Sequence, residues 1–93
     1  MVPSMPRAEI SWKRRTPDGE TIRIYAQHFG DRWRFFARGA RYEQRQPVEH
    51  PPLEDWLDLL DGVRRRVGRG LLRAEEVARV ERIIRERFPD AEL

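Results

Sequence analysis

Thr16–Arg38 reads TPDGETIRIYAQHFGDRWRFFAR, and the two turns inside this stretch decide the fold. In Pro17-Asp18-Gly19 the proline ring presets φ, Asp tolerates the next position and Gly supplies a positive φ, the chemistry of a three-residue hairpin loop. Gly30-Asp31 is a two-residue turn of the II′ or I′ kind. Between the turns the side chains alternate: Ile22, Ile24 and Ala26 interleave with Arg23, Tyr25 and Gln27. Beyond them Trp33, Phe35 and Ala37 interleave with Arg34, Phe36 and Arg38, and toward the N-terminus Ile10 and Trp12 with Glu9, Ser11 and Lys13. A period of two is that of a strand with one buried face. The segment is therefore expected to form a three-stranded antiparallel meander, with Gly39 bulging or ending the third strand.

The turns also set the register. A Pro17–Gly19 loop pairs Thr16 with Glu20, which places Trp12 opposite Ile24 and Ile10 opposite Ala26. A Gly30-Asp31 turn pairs Phe29 with Arg32, which places Ile24 opposite Ala37 and Ala26 opposite Phe35. A slip of one residue would turn a strand's apolar set to the other side. The two turns are independent, yet they agree on one apolar face. On the opposite face one cross-strand row reads Lys13, Arg23, Arg38, the next Ser11, Tyr25, Phe36, and the next Glu9, Gln27, Arg34.

After a Pro-rich connector, Gln46–Pro52, the period changes. Leu53, Trp56, Leu57, Leu60, Val63 and Val67 recur at helical spacing, and Gly68-Arg69-Gly70 is a stop. Val77, Val80, Ile83, Ile84 and Phe88 mark a second helix that ends near Pro89. The expected fold is α+β, β-β-β-α-α, with the helical hairpin (53–89) packed on one face of the sheet. The expected organisation is a flexible tail over 1–7, then a single domain over 8–93, with the sheet in 8–45 and the connector in 46–52. Trp12 and Trp33 belong to the inward face and Trp56 to the helical stripe, so all three read as core rather than as a ligand cage.

Composition narrows the function classes. The chain has 93 residues, 39% of them apolar and 38% charged, which is enough apolar mass to fold one small domain. Its longest apolar runs fall far short of the roughly 20 residues that span a bilayer, so a membrane partner is not expected. Met1–Arg7 has no apolar core of a secretory signal. With no Cys there is no thiol nucleophile, disulfide or cysteine–metal site, and a reducing cytoplasm fits. Residues 1–46 carry ten basic and five acidic groups, whereas 47–93 carry nine and eleven. The positive charge thus resides in the first half. Eighteen of the nineteen cations are Arg, a bias that a GC-rich coding sequence also produces.

A cationic row beside aromatic rings on an antiparallel sheet is an arrangement that holds single-stranded nucleic acid, guanidinium groups taking phosphates and rings stacking on bases. The candidate binding residues are accordingly Lys13, Arg23, Arg34 and Arg38 for phosphates of RNA or single-stranded DNA, and Tyr25 and Phe36 for stacking. The alternative partner for the same face is a protein, or a second copy of this chain in a homodimer, with Tyr25 and Phe36 as anchors. A solvated face that merely keeps the sheet soluble is the plainest reading. Arg64-Arg65-Arg66 and Arg69 resemble a nucleic-acid patch, but acids at the start of that helix and bases at its end complement its dipole instead. A helix-turn-helix reader would begin its second helix with Glu75 and Glu76, which meet phosphates badly. Catalysis, a metal site and a cofactor are not expected: His28 falls on the apolar face opposite Trp33, and His50 lies in the connector, where it could cap the first helix. Neither stands in a recognisable catalytic spacing.

Overall fold

The computed structural model describes residues 8–39 and 44–93, so the tail expected over 1–7 lies outside the described residues. The element order is β1 (Ala8–Arg15), β2 (Thr21–Phe29), β3 (Arg32–Arg38), β4 (Gln46–Val48), α1 (Leu53–Gly68) and α2 (Glu75–Arg87). This is an α+β chain, an antiparallel sheet followed by two helices. The contacts divide it into two compact units that meet in sequence at His50–Pro51.

In the first unit the strands lie in the order β1-β2-β3-β4. The register is the one the turns dictate: Trp12 faces Ile24 and Ile10 faces Ala26, while Ile24 faces Ala37 and Ala26 faces Phe35. At the first turn Thr16 N–H donates to the Glu20 carbonyl at 2.8 Å, and Gly19, at φ +88°, donates to the Thr16 carbonyl at 2.9 Å. The Thr16 hydroxyl also donates to the Asp18 carboxylate, a bond that holds the Asp18 pKa below its ordinary value. At the second turn Gly30 has φ +59° while Asp31 keeps a negative φ, which selects the II′ form, since I′ needs both central residues positive. Ile10, Ile24, Ala26, Trp33 and Phe35 are buried on the apolar face, with the Trp12 ring edge-on to Phe35 at 6.0 Å. His28 is buried there too, stacked on Trp33 at 4.7 Å between ring centroids.

One strand was not expected. Gln46–Val48, read from sequence as connector, pairs antiparallel with β3, so the meander has four strands rather than three. Pro47 lacks the N–H a central strand would need, but β4 is the sheet's edge, where that loss is tolerated.

In the second unit α1 buries Trp56, Leu59, Leu60 and Val63, at i, i+3, i+4 and i+7. The stripe is rotated from the expected one: Leu59 is fully buried, whereas Leu57 is 38% exposed. His50 does not cap the helix; Pro52 stands at the N-cap position with no side-chain cap. At the C-terminus Gly70, at φ +75°, donates to the Val67 carbonyl at 2.9 Å, and Leu71 donates to that of Arg66 at 2.8 Å. This pair of bonds is a Schellman motif, which explains why Gly70 ends the run. Glu54 and Asp55 lie in the first turn and Arg65 and Arg66 in the last, the polarity that complements the helix dipole. α2 packs against α1 with Val80 and Ile84 buried, and Arg64 reaches Glu81 at 3.1 Å. Arg79 pairs with Glu76 at 3.3 Å, three residues away on α2. No helix among the described residues is long and apolar enough to cross a membrane.

Candidate nucleic-acid interface

The outward face of the sheet is fixed by the same alternation that buries Ile24 and Phe35. Lys13, Arg23 and Arg38 lie opposite one another across β1, β2 and β3, and Tyr25 lies opposite Phe36 in the adjacent row. Arg34 stands opposite Gln27 in the row beyond. Lys13, Arg34 and Arg38 are exposed, and Arg23, Tyr25 and Phe36 are half-buried. All six candidate residues thus share one face, turned away from Trp33 and Phe35.

Three cations in register repel, and the side chains show how the row is relieved. Arg23 bends back along β1, where Nη1 donates to Ser11 Oγ at 3.1 Å. Its charge moves out of line with Lys13 toward the aromatic row. A shallow, open depression of about 290 Å³ remains, lined by Lys13, Thr21, Ile22, Arg23, Tyr25, Arg38 and Gly39. Three cationic side chains around one small hollow suit an anion of phosphate size.

The same parity adds residues that the sequence reading did not single out. Arg15 and Arg32 project on this face, as does Phe29 opposite Arg32. Arg15 Nε donates to the Gly19 carbonyl at 3.4 Å and so braces the first turn. Arg34 holds its guanidinium 5.6 Å from the Phe36 ring centre and 5.9 Å from that of Phe29, so it is committed to both rings as well as to solvent. Because β4 pairs with β3, Pro47 stands opposite Phe36 and extends the aromatic row to Ser11, Tyr25, Phe36, Pro47.

Arg45 is the largest addition. It lies two residues before Pro47 and so leaves the backbone on the same face. Its guanidinium rests 3.6 Å from the Tyr25 ring centre, and both Nη atoms reach the Glu9 carboxylate, Nη2 at 3.4 Å from Oε2. Gln27 Nε2 donates to the same carboxylate at 2.9 Å. The Arg45 hydrogen bond, seconded by that of Gln27, holds the Glu9 pKa below the ordinary carboxylate value against the opposing effect of partial burial. The only acid on the described strand positions of this face is thereby neutralised, and the face stays strongly positive. No protein-family model, curated protein or solved structure matches the chain.

Proposed function

We propose that the chain is a small non-catalytic binding module that takes single-stranded nucleic acid, RNA or DNA, on the outward face of its sheet, in the cytoplasm. The observation that carries this reading is the register: it sets Lys13, Arg23 and Arg38 in one row around a hollow, directly beside Tyr25 and Phe36. In this reading the phosphate backbone follows the cationic row, with Lys13 at its rim and Arg34 held over the Phe36 and Phe29 rings, while bases lie over the aromatic row. The reading gains support from the pairing of Glu9 with Arg45, because an uncompensated carboxylate at this place would repel the strand. It gains further support from Arg chemistry, since a guanidinium offers phosphate a planar fork of donors.

Salt separates a polyanion from a protein partner. Binding of a labelled single-stranded oligonucleotide, followed by fluorescence anisotropy, is expected to weaken linearly on a log–log plot against salt, by about 0.7 in slope for each phosphate neutralised. Joint replacement Arg23→Glu and Arg38→Glu is expected to abolish retention of the oligonucleotide. Retention unchanged in that double variant overturns the proposal. Salt-insensitive self-association that the double variant disrupts would instead assign the face to a second copy of the chain.

A further inference from the structure

Resting on the nucleic-acid reading, we infer that Arg45 is the base-stacking plane of this face, backed by Tyr25 and braced by Glu9. A guanidinium is flat, with two faces and a rim of donors. One face of Arg45 lies on Tyr25 at 3.6 Å from the ring centre, and both Nη atoms on its rim are engaged by Glu9. The opposite face of the plane is what remains for a ligand, and the side chain is 36% exposed.

The distance also decides against a base resting on the face of Tyr25 that Arg45 covers. At 3.6 Å the cation is already in stacking contact, so nothing as thick as a base enters between the two groups. On that side of the ring the nucleotide meets Arg45 first. Arginine planes stack on unpaired bases as aromatic rings do, with the added attraction of a cation for a π-system. The brace matters because a loose Arg loses side-chain freedom on stacking, whereas one already held by a ring and a carboxylate loses less. Gln27, bonded to the same carboxylate at 2.9 Å, fixes Glu9 in turn, and the lowered pKa of Glu9 keeps it charged for the task. Arg34 is a weaker candidate for the plane, since it stands farther from its rings, at 5.6 and 5.9 Å. The Lys13–Arg23–Arg38 hollow borders Tyr25, so a base on Arg45 leaves its phosphate on the cationic side.

The test compares two probes of equal length and charge, an oligouridine and an abasic sugar–phosphate oligomer, on the intact chain. Wild type is expected to favour the oligouridine by on the order of tenfold, the gain of stacking a base. Arg45→Lys keeps the charge and loses the plane, so the preference is expected to vanish while the abasic oligomer binds as before. Glu9→Ala, which removes the brace and keeps the plane, is expected to reduce the preference in part, and it answers the question independently should Arg45→Lys disturb folding. An undiminished preference in either variant overturns the inference and leaves the proposed function standing. Equal binding of both probes by wild type overturns it as well. Failure of wild type to bind either probe removes the proposed function and this inference together.

Discussion

Glu9 sits where a carboxylate ought to be unwelcome, among Lys13, Arg15, Arg23, Arg32, Arg34 and Arg38 on one face of the sheet. Its environment explains its presence. The Arg45 hydrogen bond, and after it that of Gln27, favour the ionised form, and the pKa falls below the ordinary carboxylate value. A carboxyl whose folded pKa lies below its unfolded one adds stability at pH above the unfolded value, and that contribution is lost as pH drops through the folded value. The contribution is modest, since partly exposed ion pairs are worth about 0–1 kcal/mol. Carbon-detected titration by NMR should place the Glu9 midpoint below that of an unperturbed glutamate, and Arg45→Ala should move it upward. A midpoint that ignores Arg45→Ala would mean the contact does not persist in solution.

At the scale of elements, the turns were legible and the fourth strand was not. Gly19 and Gly30 supply the positive φ that their loops require, and those two positions alone settle the register of β1, β2 and β3. β4 left no such trace: it is three residues long, contains Pro47 and lacks a recognisable two- or three-residue turn before it. Arg45 was hidden for the same reason, because its face follows from the pairing of β4 with β3 and from nothing local. The stripe of α1 was legible as a period but not as an angle, since Leu57 and Leu59 both fit an apolar pattern that runs nearly half-way round the helix. Structure separates them. Leu59→Ala should cost about 2–5 kcal/mol, the usual cost of emptying a buried site, whereas Leu57→Ala should stay within about 0.5 kcal/mol. Urea unfolding of the two variants checks this, and equal losses would refute the placement of the stripe.

For the molecule as a whole, charge is divided along the chain, ten basic and five acidic residues in 1–46 against nine and eleven in 47–93. The sheet unit concentrates its cations on one face through strand alternation, while in the helical unit Arg65, Arg64 and Arg79 pair with Asp61, Glu81 and Glu76. Arg64-Arg65-Arg66 looks basic in sequence, and in the structure Arg64 and Arg65 each face a carboxylate. Lys13, Arg23 and Arg38 are far apart in sequence and assemble only through pairing. The candidate face was legible because register is simple arithmetic once two turns are known. Its central contact was not, because the Arg45–Tyr25–Glu9 cluster joins β1, β2 and the approach to β4. The binding face is tested most directly by following backbone amide shifts of the isotope-labelled chain as a single-stranded oligonucleotide is added. If the sheet face holds the strand, shifts concentrate at Lys13, Arg23, Tyr25, Arg34, Phe36, Arg38 and Arg45. Shifts confined to α1 and α2, or none at saturating oligonucleotide, would contradict it.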